Sequence, residues 1–432
     1  MKKEIKERIE AVHRGEVPEG YRRTRAGLMP LDWQGDLAAK DIFRNYTNKK
    51  HNGEFQVLSA TQDRGIIPRS EVDIDIKFAE ENVGSYKKVD AGDFVISLRS
   101  FQGGIEYSEY EGLVSPAYTV LKSTRPISDN YYRAYFKTPD FISRLNGAVY
   151  GIRDGKQIGF EDFGELAVHY PPVVEQQKIA EILATCDRVI ELKQQLLEEK
   201  RRQKKWLMQK LLDPDSGVHL PGFEARVWKE MPLSEVFSYI RNGFVGTATP
   251  YYVDNGIPYI EGTNIQKGQW DLSEVLHISE EFHRKHPNSV LRTGDVVVVQ
   301  SGHVGDCAVV TEKIDGSNSH AIIIMTPTPR VNPYFCACYI NSPIGQGRLG
   351  GCITGNTVKH ILASDMKKYL LPCPEKDEQD ALANLFCAAE KEITAIEKEI
   401  DAWKQKKKAL FIMRTFFLVT MHIRCFCQAR CL

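Results

Sequence analysis

This chain of 432 residues lacks the features that mark several large classes of protein. Its ten cysteines include no pair with the CxxC spacing of a structural zinc site, and the charged residues 1–6 carry no apolar stretch of a signal peptide. No run approaches the ~18 apolar residues that a membrane span needs, because the longest candidate, 411–423, is short and contains Arg414 and His422. We therefore expect a cytoplasmic protein with reduced thiols and no membrane contact.

The sequence also lacks an excess of charge of either sign. Its 57 basic and 57 acidic side chains give a formal net charge of zero, which argues against a protein that coats nucleic acid nonspecifically. Basic residues nevertheless cluster at 200–205 and 404–408, where a solvated helix face and a local basic patch are both compatible with the pattern. The 42% hydrophobic content is sufficient for a core in each of two domains.

Catalytic signatures are missing as well. No Ser/His/Asp set, Walker motif or paired-carboxylate signature stands out, and the histidines in 283–286 lack the spacing of a zinc hydrolase. Residues 345–350 match GxGxxG, but a predicted helix precedes the glycines and none follows, which argues against a phosphate cradle. Residues 332–335 resemble the Asn-Pro-Pro-Tyr/Phe motif of amino-methyltransferases without its second proline, and N-capping by Asn332 with Pro333 in the first turn is a simpler explanation.

What the sequence does contain is a long internal repeat. The strand-forming segment that starts at Gly92-Asp93 recurs at Gly294-Asp295, and Glu175-Gln176, which opens a charged heptad run, recurs as Glu378-Gln379. A period of this length indicates a duplicated domain with its own helix and is too long for a solenoid repeat. Two similar domains in one chain suit a target that has two parts.

Short β-rich runs broken by Gly, Asp and Asn precede a helix in each copy, so we predict an α+β fold twice. The helices are predicted at 131–145, broken at Pro139, and at 334–344, broken at Pro343. The clearest strands are predicted at 55–58, 94–98 and 117–121 in the first copy and at 296–300, 307–311 and 321–325 in the second.

Each copy ends in a proline-rich stop followed by a long helix with heptad spacing of apolar residues. We predict that the two helices form an antiparallel coiled coil along the apolar positions Ile179, Leu183, Cys186, Ile190, Ile393, Ile396, Ile400 and Trp403. The predicted organisation is an N-terminal arm (1–27), a first domain (28–172), a helix (173–212), a linker (213–227), a second domain (228–374), a second helix (375–417) and an atypical tail (418–432).

The loops of both copies carry side chains suited to DNA at matching places. Arg, Gln and Asn hydrogen-bond to G and A in the major groove, and Lys or Arg binds phosphates. Any surface loop contains such residues, but their recurrence in both copies favours DNA contact. The candidates are Arg64, Arg69, Arg99, Gln102, Lys156 and Gln157 in the first copy, and Asn264, Lys267, Gln300, His303 and Lys359 in the second.

Several short motifs occur in a characteristic order along the chain. They are the lead-in 22–33, Trp33 and Trp228, Gly-Asp before a strand at Gly92 and Gly294, Pro-Pro-x-x-Glu-Gln at 171–176, and Leu-Pro-Gly-Phe at 220–223. This ordered combination resembles the specificity subunits of type I restriction-modification systems, and the resemblance covers about residues 20–415. It departs at 420–432, which match nothing in the family, and at Pro372-Cys373-Pro374, which replaces a plain Pro-Pro.

The resemblance implies two target recognition domains, each contacting one half of a split double-stranded DNA sequence, with two antiparallel helices setting the spacer. It also implies two methyltransferase subunits that bring S-adenosylmethionine, and restriction subunits that add ATP- and Mg-dependent translocation and cleavage. This chain itself would be non-catalytic and would hold no cofactor or metal. Two alternatives stay open at this point: a stand-alone S-adenosylmethionine-dependent DNA adenine methyltransferase, and a coiled-coil scaffold whose heads bind protein.

Overall fold

The computed structural model describes residues 14–34, 37–72, 80–98, 100–148, 158–224, 226–353 and 359–411. The chain divides into two compact units, one formed by Met1–Leu192 with Glu399–Leu432 and the other by Lys193–Lys398. We call residues 14–172 the first head and residues 212–375 the second head. The predicted tail and the candidate residues Arg99, Lys156 and Gln157 lie outside the described residues.

The first head is built on a four-stranded antiparallel sheet. Its second strand by sequence, Phe94–Ile96, is central and pairs with Thr119–Ser123 on one side and Glu106–Tyr107 on the other. Phe43–Tyr46 completes the sheet by pairing with Thr119–Ser123, with Val120 opposite Tyr46.

The second head contains the same sheet with the same strand order. Phe237–Asn242, Ile322–Pro327, Val296–Val299 and Cys307–Val309 follow one another across it, and every neighbouring pair is antiparallel. The central strand is a run of four valines, all buried, as expected for β-branched side chains on a sheet covered on both faces. The identical order confirms that the two copies share one α+β fold.

A Gly-Asp turn leads into the central strand of each sheet. Gly92 and Gly294 have φ values of +99° and +90°, a left-handed conformation that glycine adopts without steric cost. The aspartate that follows each glycine accepts a hydrogen bond from the backbone N–H three residues before it, at 2.9 Å for Asp93 and 3.1 Å for Asp295. The repeated dipeptide is therefore explained by turn geometry.

The predicted helix of each head is two helices, broken at the predicted proline. Asp129–Tyr135 is followed by Pro139–Gly147, and Pro333–Asn341 is followed by Pro343–Leu349. Each proline occupies a first-turn position, where its missing N–H costs no hydrogen bond. A hydroxyl caps each second helix, with Thr138 accepting from a backbone N–H at 3.2 Å and Ser342 at 3.0 Å.

Tight packing of this helix pair explains one glycine of the GxGxxG match. A Cβ atom on Gly345 would lie 1.9 Å from the carbonyl oxygen of Tyr339, so only glycine lets the two helices approach. The match lies largely within the helix Pro343–Leu349, with its last glycine directly after, instead of between a strand and a helix. In the first head the corresponding helix pair supplies an aromatic core of Tyr131, Tyr132, Tyr135, Phe136 and Phe141, all fully buried.

The smaller strands around the two sheets differ between the heads. A hairpin of Tyr21–Thr24 and Gly27–Pro30 crosses the predicted boundary between residues 27 and 28, so this part of the predicted arm is ordered strand. The strand predicted at 55–58 begins only at Leu58. The other pairs are Leu58–Thr61 with Gly65–Pro68 and Lys87–Val89 with Gly112–Val114 in the first head, and Lys229–Pro232 with Leu370–Cys373, Ile265–Gln266 with Gln269–Trp270, and Tyr252–Ile260 with Leu276–Ile278 and Asn318–Ser319 in the second.

Short helices connect these strands. They are Ser100–Gly103 and Phe160–Gly164 in the first head, and Leu233–Val236, Glu280–Lys285 and Ala363–Met366 in the second. None of the helices in the described ranges is long and apolar enough to cross a membrane.

The two long helices are Val173–Leu211 and Lys376–Phe411. Within the second unit they run antiparallel, because Arg201 pairs with Glu397 at 2.7 Å and Lys204, further along the first helix, pairs with Glu390, further back along the second. Ile393 and Ile396, both predicted in the helix–helix seam, are buried in this unit, and so is Leu197 of the first helix. Within the first unit Asp187 of the first helix pairs with Lys407 of the second.

The beginning of each long helix packs on a head. Ile179 and Leu183, predicted in the helix–helix seam, instead belong to the apolar core of the first head together with Trp33 and Tyr131. Leu382 and Phe386 join the core of the second head in the same way. One heptad pattern therefore serves two contacts: its first apolar residues pack on a head, and its later ones pack on the other long helix.

Candidate nucleic-acid interface

The first head is attached to its long helix by the glutamate and glutamine of the repeated motif. Trp33 donates a hydrogen bond from Nε1 to Oε2 of Glu175 at 2.9 Å, and the indole is 3% exposed. Gln176 is fully buried, accepts at Oε1 from the backbone N–H of Ser128 at 2.8 Å, and donates from Nε2 to the carbonyl oxygen of Pro171 at 2.9 Å. These bonds fix the orientation in which the helix leaves the sheet.

The second head repeats the attachment with its own residues. Trp228 Nε1 donates to Oε1 of Glu378 at 3.0 Å, and burial raises the pKa of this carboxyl, with the indole N–H opposing the rise. Gln379 accepts at Oε1 from the backbone N–H of Asn332 at 2.8 Å and donates from Nε2 to the carbonyl oxygen of Pro374 at 2.9 Å. The Glu-Gln repeat seen in the sequence thus joins each head to its long helix.

In the first head, three of the predicted residues are described and lie on two neighbouring elements. Arg64 is exposed at the turn of the hairpin Leu58–Pro68, where its Nη2 donates to the carbonyl oxygen of Glu71 at 2.7 Å. Arg69 is half-buried, and its Nε donates to Ser59 Oγ at 3.3 Å. Gln102 is exposed on the short helix that follows the central strand.

Lys137, which is not among the residues predicted from the sequence, holds these two elements together. Lys137 donates from Nζ to Oε1 of Glu106 at 2.6 Å and to the carbonyl oxygens of Gly103 at 2.8 Å and Gln62 at 3.4 Å. Glu106 is 2% exposed, and burial raises the pKa of its carboxyl while Lys137 opposes the rise. Because Gln62 is in the hairpin turn and Gly103 in the short helix, this clamp brings Arg64 and Gln102 to one surface.

A cleft of about 800 Å³ separates this surface from the long helices within the first unit. Its charges balance, so it does not present a surplus of positive charge to a phosphate backbone. The basic residues that line it are Arg133, Lys137, Arg188 and Lys407, and the acidic residues are Asp63, Glu106, Asp187 and Glu191.

In the second head the structure brings together Lys267, His303 and Lys359, all exposed. Lys267 is at the tip of the hairpin Ile265–Trp270 with a φ of +42°, and the imidazole Nε2 of His303 lies 2.9 Å from the carbonyl oxygen of Ile265 at the base of that hairpin. Lys359 joins them because the segment that contains it runs beside the loop after the central strand, where Ser301 pairs with His360.

Two predicted residues of the second head are buried. Asn264 is 6% exposed, accepts from the backbone N–H of Glu261 at 3.0 Å, and donates to the carbonyl oxygens of Asp271 at 2.9 Å and Glu274 at 3.1 Å. Its amide is therefore used to fold a loop. Gln300 is 8% exposed at the end of the central strand, where its backbone N–H donates to the carbonyl oxygen of Ala321 at 3.2 Å.

The second unit has a corresponding cleft of about 740 Å³ beside Lys267 and His303. Arg201 and Lys204 of the first long helix line it, and Glu390 and Glu397 of the second neutralise them through ion pairs. Gln266 and Gln269, which flank the tip of the hairpin, complete its wall.

The segment that resembles an amino-methyltransferase motif is a helix N-terminus. Asn332 Oδ1 accepts from the backbone N–H groups of Tyr334 at 2.8 Å and Phe335 at 3.2 Å, and its Nδ2 donates to Asp380 at 2.6 Å. Phe335 is fully buried in the core. This arrangement confirms the N-cap interpretation and leaves neither the amide nor the ring available to a flipped adenine.

The arrangement offers hydrogen-bond donors on an exposed surface of each head. Arg64 and Gln102 in the first head and Lys267, His303 and Lys359 in the second suit the acceptors of base edges and phosphates. Among the residues that the structure describes, no group of three or more His, Cys, Asp or Glu side chains could hold a metal ion.

Comparison with known families agrees with this geometry. Residues 32–200 match the model of the type I restriction modification DNA specificity domain. The chain is 24% identical over 298 residues to the type I restriction enzyme EcoBI specificity subunit of Escherichia coli, covering 63% of this chain and 62% of that subunit. It is 21% identical over 342 residues to the type I restriction enzyme MjaVIII specificity subunit of Methanocaldococcus jannaschii, covering 76% of this chain and 79% of that one.

Solved structures share the fold along most of the chain. The HsdS subunit from Thermoanaerobacter tengcongensis superposes with a TM-score of 0.52 at 15% identity, covering 92% of this chain and 96% of that one. A chain from a structure of type I R-M complex assembly and conformational transition gives a TM-score of 0.57 at 14% identity, covering 92% of this chain and 97% of that one. These identities are low, so the structures establish similarity of fold.

Proposed function

We propose that this chain, a type I restriction-modification specificity subunit by its sequence and its fold, reads a DNA target made of two separated half-sites. Each head contacts one half-site through a hairpin and through the segment that follows its central strand. The observation that carries the proposal is the repetition of one scaffold, with the same sheet order and the same Trp–Glu joint, beneath loops that differ in sequence and structure. Equal scaffolds with different loops suit a target whose halves have different sequences.

In the first head we assign contact with DNA to Arg64 and Gln102, and in the second to Lys267, His303 and Lys359. Arg64 has the paired donors that suit G in the major groove, and Gln102 has the donor and the acceptor that suit A, whereas the two lysines suit phosphates. Lys137 is a positioning residue, because it holds the two elements that carry Arg64 and Gln102.

We further propose that two methyltransferase subunits assemble on this chain and bring S-adenosylmethionine, and that restriction subunits add ATP- and Mg-dependent cleavage. The repeat offers an equal attachment to a partner that is present in two copies, because the helix joints of the two units carry the same residues. On this proposal the chain itself catalyses no reaction and acts in the cytoplasm, where the DNA and the partner enzymes are.

The test is methylation of genomic DNA by the full chain together with its methyltransferase subunits. We expect the methylated adenines to share two short specified sequences separated by an unspecified spacer. A single uninterrupted recognition sequence would contradict two-headed reading. Methylation by the chain without partners would replace the proposal by a stand-alone methyltransferase, and an absence of salt-dependent DNA affinity would favour a protein-binding scaffold.

A further inference from the structure

The first head carries a cluster of lysines that none of the roles above uses. Lys49 and Lys50 are exposed on the loop after the edge strand Phe43–Tyr46, and Lys87 is half-buried at the start of the strand Lys87–Val89. We call these three side chains the basic platform.

The nearby carboxylates are already committed to other lysines. Lys122 contacts Asp90 at 2.7 Å and Asp93 at 3.0 Å, and Lys88, on the other face of the strand from Lys87, contacts Asp90 and Glu111. Among the described residues, no carboxylate lies within ion-pair distance of the basic platform. The platform therefore differs from the charge-balanced clefts of both units.

Lys87 is held in an unfavourable position for a cation. Burial lowers the pKa of its ammonium group, and the positive charge of Lys49 lowers it further. Its Nζ donates to the carbonyl oxygen of Tyr118 at 2.6 Å, which orients the side chain without neutralising it. A half-buried ammonium beside a second cation is stabilised when an anion binds to both.

The loop that carries Lys49 and Lys50 is ordered by its own hydrogen bonds. The backbone N–H of Lys88 donates to the carbonyl oxygen of Asn48 at 2.8 Å, and Asn48 Oδ1 accepts from the backbone N–H of Lys50 at 2.9 Å. His51 Nδ1 accepts from the backbone N–H of Gly53 at 3.2 Å, so Nε2 carries the proton. Nε2 donates to the backbone carbonyl oxygen of Tyr86 at 3.0 Å. The backbone is thus fixed while both ammonium groups extend into solvent, which lowers the entropic cost of binding.

We propose that the basic platform binds phosphate groups of the DNA backbone at the first head. This inference rests on the proposed function. Phosphate contacts place a protein on the duplex and carry no sequence information, so the platform supplies affinity while Arg64 and Gln102 supply discrimination. The double-stranded backbone is the anion that fits, because three ammonium groups on neighbouring elements match a row of charges better than one small ion.

The experiment compares the parent chain with the double variant Lys49→Gln/Lys87→Gln and with Lys49→Gln/Lys40→Gln as an equal-charge control. Lys40 is exposed in the same head but pairs with Glu165, so its loss removes a charge that is already neutralised. The affinity for a mixed-sequence duplex is measured by fluorescence anisotropy as the salt concentration rises. Removing two phosphate contacts should lower the slope of log affinity against log salt by about 1.8, and the control should lower it by about 0.9.

Each outcome decides a separate point. If the two double variants show the same slope of log affinity against log salt, Lys87 does not contact a phosphate. If both show the slope of the parent chain, the basic platform does not bind the DNA backbone. A change in which half-site sequence is methylated would also overturn it, because a phosphate contact weakens all sequences alike. If the parent chain itself shows no salt-dependent affinity for the duplex, the proposed function fails, which is distinct from a failure of the platform alone.

Discussion

Asp187 and Lys407 form an ion pair between the two long helices within the first unit. The residues at the corresponding places of the repeat, Glu390 and Lys204, form the same pair within the second unit with the acidic and basic partners exchanged between the helices. The duplication therefore copied the register of the helix pair as well as the heads. Because Asp187 is 56% exposed, the first of these pairs contributes little stability.

The ion pair can be tested by reversing its charges. Asp187→Lys should place two cations together and lower the free energy of unfolding by about 1 kcal/mol at low salt. The double variant Asp187→Lys/Lys407→Asp should recover most of the loss, and added salt should reduce the difference. Denaturant unfolding at two salt concentrations measures both effects, and a double variant as unstable as the single one would show that the two residues do not pair.

The apolar seam in the second unit should tolerate no charge. Ile396→Asp puts a carboxylate at a position that is 7% exposed, and we expect a loss on the order of 3 kcal/mol in the free energy of unfolding. Ala395→Asp adds the same charge to an exposed neighbour on the same helix and is the matched control, with an expected change of about 0.5 kcal/mol or less. Equal effects of the two substitutions would place the seam elsewhere.

The first two glycines of the GxGxxG match should respond in opposite ways. Gly345→Ala would press a methyl group against the carbonyl oxygen of Tyr339 and should destabilise the protein by about 1–3 kcal/mol. Gly347→Ala has no atom within 4 Å of the added carbon and should be neutral or stabilising by up to about 1 kcal/mol, because alanine favours the helix. Thermal unfolding of both variants checks this, and loss of DNA binding by Gly347→Ala with normal stability would revive a ligand-binding role.

Glu106 should make stability depend on pH. Burial raises the pKa of the folded carboxyl above its ordinary value of 4.5, so the folded state binds the proton more tightly than the unfolded state. The stabilising contribution of the protonated form is complete below pH 4.5 and is lost as the pH rises through the folded pKa. Denaturant titrations across this range should show the parent losing stability relative to Glu106→Gln as the pH rises, and parallel profiles would contradict the assignment.

The heads should read their half-sites independently. With methyltransferase subunits present, Gln102→Ala should weaken discrimination at one half-site and His303→Ala at the other, by about 1–3 kcal/mol at a contacted base pair. Asn264→Asp would disturb loop folding instead, because its amide donates to two backbone carbonyls. The measurement is methylation of DNAs varied at each half-site separately, and a single substitution that shifts preference in both halves would contradict independent reading.

Local pattern in the sequence was sufficient for the architecture. The repeat, the breaks at Pro139 and Pro343 and the heptad runs predicted two α+β heads and two long antiparallel helices, since proline position and apolar spacing act over a few residues. The Gly-Asp dipeptides also have a local cause, because the aspartate caps its own turn. These features depend little on the rest of the chain.

Tertiary structure decided which polar residues are available to a ligand. Asn264 and Gln300 have amides that suit base edges, but the loop from Glu261 to Glu274 buries Asn264, and backbone bonds to Ala321 and Ile361 hold Gln300 within the head. Trp33 and Glu175 were visible as motif residues, yet their hydrogen bond joins positions 142 residues apart. Whether a side chain faces solvent or a buried partner depends on such long-range contacts, so the sequence by itself determined the scaffold and the folded chain determined the surface that can touch DNA.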